Sequence, residues 1–261
     1  MTQDTAALAT RFLELHRAPT LLRVVNVWDA ASARAVASVE GTTALATASH
    51  SIAATFGYED GENIPLDLML DMIGRIVAVT DLPVSADLES GYGDPGATVR
   101  RAIEAGVVGG NLEDGMRPLP DAVRAVEAAM GAARDAGVPD FVLNARTDAF
   151  VRAEGRSPQE CLEEAVTRGL AFLEAGAPVV FVPRVTERAH VERLVAELGP
   201  QRLTLIVLPG MLPLAELEEL GVARVSYGPW SQRVALTALQ QLAERVRDGE
   251  GALPGDVRPL T

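Results

Sequence analysis

Short apolar runs recur along the chain, each followed by a stretch with helical spacing that glycine tends to close. The runs at 22–27, 43–48, 84–89, 107–113, 141–146, 178–182, 203–208 and 222–227 are β-branched or apolar and read as strands. An amphipathic lead-in helix is predicted over 4–16, then helices over 31–40, 65–80, 96–105 and 122–136. A capping box, Ser157-Pro158-Gln159-Glu160, opens the next helix, which Gly176 closes. Three more are expected to end near Gly199, near Gly221 and at 245–249. Eight strands alternating with eight helices predict a parallel sheet with crossover helices. Eight such units in about 230 residues fit an α/β fold of the closed (β/α)8 TIM-barrel type better than an open sheet. No Gly-rich dinucleotide motif follows the first strand. The expectation is one domain over 1–261, with the lead-in helix inside 1–20 and a Gly- and Pro-punctuated tail at 249–261, frayed or laid on a neighbour.

Composition narrows the chemistry. The 261 residues carry a net charge of −13, which makes nucleic acid or an anionic membrane an unsuitable partner. No run reaches the roughly 20 apolar residues of a membrane span, and the opening MTQDTAALATRF is unlike a secretory signal, so a cytoplasmic location is expected. One cysteine, Cys161, excludes an internal disulfide framework and reads as packing. All 23 basic residues are arginine, so neither a Schiff-base lysine nor a Walker-type phosphate loop is available. Three scattered histidines argue against zinc.

The acidic stretch VSADLESGYGD, 84–94, is where the chemistry gathers. Strand alternation would point Asp87 and Glu89 the same way, just where a strand gives out into a glycine turn. Two carboxylates that close call for a positive partner, and a hard divalent cation bound through oxygen answers that need. The plainer alternative is a solvated acidic loop with Asp94 as a helix N-cap. In barrels of this kind the site lies at the C-terminal strand ends. Those ends carry Trp28-Asp29, Ser49-His50, Asp87 with Glu89, Glu113-Asp114, Arg146 with Asp148, and Pro183-Arg184, over strand interiors read as nearly pure hydrocarbon. Asp87, Glu89 and Glu113 come from adjacent strands and could face one cation, while Arg146 could meet a substrate carboxylate. Elsewhere, Trp28 and Trp230 read as packing at the barrel mouth, His16 and His190 as solvated, and Arg233 as a surface residue. Asp29 either caps its helix or supports the metal shell.

ADLESGYGD, GGNLEDG, FVLNARTDAF and the early NVWDAASAR together resemble the isocitrate lyase/phosphoenolpyruvate mutase superfamily over residues 22–240. The resemblance implies a (β/α)8 barrel that binds Mg2+ or Mn2+ and a small α-keto or α-hydroxy acid, working through an enolate-like intermediate. It places metal ligation on Asp87, Glu89 and Glu113, with glutamate at 89 where the family has aspartate. Asp60 falls where an aspartate holds metal-bound water, Arg146 on the arginine of the A-R-T-D motif, and Ala48-Ser49-His50 on the turn that binds the substrate carboxylate. His50 departs from the small residues usual there and is a candidate substrate contact. The loop at 114–121, DGMRPLPD, lacks both the K-x-C-G-H motif of the lyases and the lysine of the phosphonate enzymes; Arg117 could carry part of that charge but not act as an acid.

The resulting expectation is a Mg2+-dependent C–C bond-cleaving enzyme on a small keto diacid, resembling an oxaloacetate decarboxylase. The alternatives are a retro-aldol or retro-Claisen lyase on a larger acid, with His50 or Tyr92 as the acid, then a phosphonomutase, then a non-catalytic metabolite-binding barrel. The resemblance also implies a homo-oligomer, a dimer or a tetramer built as a dimer of dimers, with the last helix exchanged between neighbours.

Overall fold

The computed structural model describes residues 4–251 and 253–259; the outermost ends of the lead-in segment and of the tail lie outside the described residues. Among these residues nine parallel strands form one sheet: β1 (Leu22–Arg23), β2 (Asn26–Val27), β3 (Leu45–Thr47), β4 (Val84–Asp87), β5 (Gly109–Glu113), β6 (Val142–Arg146), β7 (Val179–Phe181), β8 (Leu203–Ile206) and β9 (Arg224–Ser226). Neighbours follow chain order from β2 to β9, and β9 then pairs with β1. Only Val24 and Val25 separate β1 from β2, so the two are halves of one predicted strand, one half on each end of the row. That is how the sheet curls into a barrel.

Among the described residues ten helices surround it: α1 (Thr5–Arg17), α2 (Ala30–Ala37), α3 (Ser49–Thr55), α4 (Leu66–Val77), α5 (Pro95–Glu104), α6 (Leu119–Asp135), α7 (Pro158–Glu174), α8 (Arg188–Leu198), α9 (Leu214–Glu219) and α10 (Trp230–Arg247). Their starts follow local side-chain chemistry. Asp29 and Ser32 form a reciprocal capping box on α2, which decides the role of Asp29 for the cap. Asp94 caps α5 ahead of Pro95, and the box expected at Ser157 and Glu160 opens α7. The sequence pattern does not predict helix α3: it reads Ser49 and His50 only as the end of the second strand, and the apolar Ile52 and Ala53 that follow are buried. None of the described helices is long and apolar enough to cross a membrane.

Helix α1 packs on the barrel through Ala9, Phe12, Leu13 and His16. Its Phe12 lies so close to Gly109 that a Cβ there would sit 2.7 Å from the ring, which is why a strand residue can be glycine here. His16 is therefore buried rather than solvated. Its Nδ1 donates to the Phe12 carbonyl at 2.8 Å, and burial, with Arg224 nearby, holds it down at about 3 and hence neutral. His190 is also largely covered, against Phe150.

The barrel interior corrects a second expectation. Outward faces are hydrocarbon, but beneath the rim the inward faces present Ser85, Asn111, Asn144, Thr204 and Arg224, all buried. Each lies two residues before a rim position, so the strand period puts it on the same face one layer down. The Asn144 amide donates to Asn111 at 2.7 Å and Thr204 donates to Asn144 at 2.6 Å, so Asn111, Asn144 and Thr204 form one hydrogen-bonded chain.

Candidate active site

At the C-terminal ends of the strands lies a cavity of about 540 Å3. Ala48, Ser49, His50, Asp60, Asp87, Glu89, Glu113 and Arg146 all line it, so the residues singled out from the sequence share one opening. Charge is divided across it. Asp60, Asp87, Glu89 and Glu113 occupy the side built from the β3–β5 ends, and Arg146, Arg152, Arg184 and Arg233 the side built from β6, β7 and the start of α10, where Asp148, paired with Arg146 and Arg152, leaves an excess of positive charge. Arg233 is exposed as expected, but it stands at the cavity mouth and stacks 4.8 Å from the Trp230 ring, which lines the same mouth.

Asp87 ends β4 and is oriented from both sides. Its amide donates to the Thr47 hydroxyl oxygen at 2.9 Å, and its carboxylate accepts from the Ser49 hydroxyl at 2.8 Å and the Ser49 amide at 3.1 Å. One amide of the turn expected to hold a substrate carboxylate is thus engaged by Asp87. Asp60 is reached by the Ser49 hydroxyl at 3.3 Å and by His50 Nδ1 at 3.8 Å.

Glu89 reaches the cavity by a different route from the one strand alternation gives. The strand stops at Asp87, and Glu89 adopts a left-handed backbone with φ of 51° that turns its side chain in. The Tyr92 hydroxyl donates to Glu89 Oε1 at 3.1 Å and the Glu62 amide to Oε2. Glu62 in turn accepts from the Ser90 hydroxyl at 2.6 Å and the Tyr92 amide at 2.7 Å. The turn after β4 is therefore tied to the segment after α3 by a residue that carried no motif. Glu62 and Tyr92 also have positive φ, as do Met116 and Arg184 near the rim, and strain gathered on one face accompanies function more often than packing.

Burial, then the charge of Asp87, lifts Glu89 to about 7. Burial likewise lifts Glu113 to about 7, although Arg146 opposes it across an ion pair of 2.7 Å. Burial would lower the Arg146 guanidinium, but Glu113 and Asp148 more than offset this and keep it charged. Asp148, itself raised by burial, holds Arg146 Nε at 2.8 Å. Burial and Glu89 push Tyr92 well above the usual phenol range, so it stays protonated.

The loop after β5 is organised by a residue that sequence reasoning placed only at the rim. Asp114 is buried and accepts from the Met116 amide at 2.9 Å, the Asp148 amide at 3.0 Å and Arg168 Nη1 at 3.1 Å. Arg168, a buried arginine on α7, was legible only as one more helix charge. Arg117 donates to the carbonyls of Asp114 at 2.9 Å, Glu113 at 3.0 Å and Ser90 at 3.3 Å. It does not line the cavity, so it takes no share of the charge role foreseen for it.

Among known proteins, the phosphoenolpyruvate phosphomutase family model matches residues 12–247. The 2-methylisocitrate lyase of Escherichia coli is 32% identical over 211 residues, covering 74% of this chain and 68% of that enzyme. The structure of a proposed phosphonomutase from Burkholderia cenocepacia superposes with a TM-score of 0.85 at 41% identity, covering 90% of this chain and 98% of that one. Oxaloacetate acetylhydrolase in complex with oxalate superposes with a TM-score of 0.85 at 25% identity, over 97% and 91% of the two chains. The chain belongs to the phosphoenolpyruvate phosphomutase family and is an enzyme of the isocitrate lyase/PEP mutase superfamily.

Proposed function

We propose that this enzyme cleaves a C–C bond in a small α-keto dicarboxylic acid with the help of Mg2+, and that decarboxylation of oxaloacetate is its type reaction. The division of charge across the cavity carries this reading. A divalent cation suits the acidic half, and the two carboxylates of a diacid suit the arginine half. Among the described residues no three His, Cys, Asp or Glu side chains stand close enough to chelate an ion directly. The donor set is nevertheless all carboxylate, and burial and mutual repulsion hold two of its members near 7. Such a set fits a hard divalent cation, which Asp87, Glu89 and Glu113 would hold with Asp60 beside them. When bound, such a cation would supply Lewis acidity toward the keto acid.

The chain's own groups do the rest. Arg146 is oriented by Glu113 and Asp148, stays charged, and faces the keto acid as a second stabiliser of negative charge. As the bond to the β-carboxylate breaks, CO2 leaves and its electron pair passes into the enolate; the carbon left behind takes a proton from solvent. No acid from the 114–121 loop is required, in keeping with Arg117 being tied to backbone carbonyls. The alternative of a retro-aldol or retro-Claisen cleavage draws support from His50, which lines the cavity and could protonate a departing carbanion. Oxaloacetate acetylhydrolase and 2-methylisocitrate lyase among the relatives leave the length of the diacid open. The apolar side chains Val234, Leu236, Leu239 and Val246, exposed on α10, support association between copies of this chain.

The test is pyruvate release from oxaloacetate with Mg2+ and with chelator, after subtracting the metal-only rate. Saturable, chelator-sensitive turnover that drops at least about 100-fold in Arg146→Lys is expected, because lysine cannot reproduce the paired contacts. Turnover confined to longer 2-hydroxy acids and lost in His50→Gln would replace decarboxylation by retro-aldol cleavage. Full activity in Asp87→Ala would refute the metal-assisted reading altogether.

A further inference from the structure

Arg224, in the polar layer beneath the cavity, is used by nothing described so far. It opens β9, two residues before the cavity-lining Ser226, so its side chain enters the barrel one layer below the rim. It is 1% exposed. Its Nη1 donates to Ser85 Oγ at 3.2 Å, its Nε has no hydrogen-bond partner, and among the described residues no carboxylate lies within ion-pair distance of it. A guanidinium so buried, with one neutral partner, is tolerated only in a negative field. The neighbouring His16 cannot provide that field, because it is neutral.

The field comes from above. Ser85 and Asp87 lie two residues apart on β4 and point the same way, a step of roughly 6.6 Å. The Arg224 head, anchored on Ser85, therefore sits directly beneath the acidic half of the cavity. Burial draws Arg224 down to about 10, against the opposing pull of Asp87, and it remains a full positive charge near neutrality.

We propose that Arg224 is a positioning residue, a fixed counter-charge under Asp87 that balances the acidic half of the cavity in the metal-free protein and loosens its grip on a divalent cation. Resting on the reading of that half as a cation site, the inference assigns the cation's exchange, rather than the chemistry, to a residue outside the cavity. A barrel floor that carries a positive charge keeps the ion from being locked in place and leaves the acidic half folded without it.

The test is Mn2+ titration calorimetry on wild type, Arg224→Met and Arg224→Lys, with melting of each metal-free protein. The Met variant is expected to bind Mn2+ roughly tenfold more tightly, since a repelling charge has gone, while the Lys variant binds as wild type does. A residue that only packs would weaken binding when replaced. A folded Met variant with unchanged or weaker affinity overturns the proposal. Should that variant fail to fold, metal-free Asp87→Asn decides. Neutralising one of several neighbouring carboxylates raises the Tm by easing repulsion, unless a buried cation depends on it. A fall in Tm supports the proposal and a rise overturns it. If wild type binds no Mn2+, the cation reading fails, and the Asp87→Asn melting still reports whether Arg224 and Asp87 are coupled.

Discussion

Replacing Asp114 by alanine tests how far the site depends on a carboxylate that never meets substrate. Asp114 accepts two backbone amides, from Met116 and Asp148, and the guanidinium of buried Arg168. Alanine leaves both amides without this partner, at about 1 kcal/mol each. Breaking a buried ion pair by removing one partner typically costs about 3–5 kcal/mol. Arg168 keeps Glu164 at 2.6 Å and the Arg117 carbonyl at 3.0 Å, which brings that part down to roughly 2 kcal/mol. The sum is about 4 kcal/mol, which for a chain of this size corresponds to a fall in Tm of roughly 8–16 °C.

The same change should slow turnover without touching the cavity lining. Asp148 takes its position from Asp114 through its amide, and Arg146 takes its own from Asp148. Urea unfolding followed by circular dichroism gives the stability term, and steady-state kinetics on the folded variant gives the other. Arg168→Met and the double variant complete a cycle, in which a coupling of at least about 1 kcal/mol is expected for residues in contact. A loss below about 1 kcal/mol, the size expected of a surface carboxylate, would refute the reasoning.

Two further predictions concern the acidic half and its turn. Glu89 and Glu113 sit near 7, above the ordinary carboxylate range, so each is protonated below that pH and must lose its proton to solvent before it can ligate a cation. Mn2+ affinity should therefore fall as pH drops from about 8 to about 6, and calorimetry in buffers of different ionisation enthalpy should register proton release near neutrality; affinity flat over that range would contradict it. Gly91→Ala should destabilise the fold by about 2–3 kcal/mol, because φ is +97° and the new Cβ would lie 2.8 Å from Pro95 Cα; a change in Tm within about 1 °C would count against this account of the turn.

What the sequence disclosed, and what it withheld, divides along a physical line. The eight-fold alternation was legible because strand and helix periods are local, and so were the caps at Asp94 and Ser157, whose partners lie within three residues. The cavity-lining carboxylates were legible because strand ends converge in a parallel barrel whatever their loops do. Glu89 shows the weakness of that argument, since it reaches the cavity through a left-handed turn and not through alternation. The residues that hold the site in shape were not legible. Glu62 and Arg168 meet their partners across 28–30 and 54 positions of chain, and nothing local distinguishes them from solvated helix or loop charges. Arg224 and His16 were hidden for the opposite reason: single polar residues inside or beside apolar stretches look like exposed faces until the barrel closes over them. A pattern of side-chain types can thus locate where chemistry gathers, whereas the charges that tune it come from long-range contacts. Those contacts put the most informative substitutions in this enzyme at Asp114 and Arg224, neither of which had a role assigned to it from the sequence.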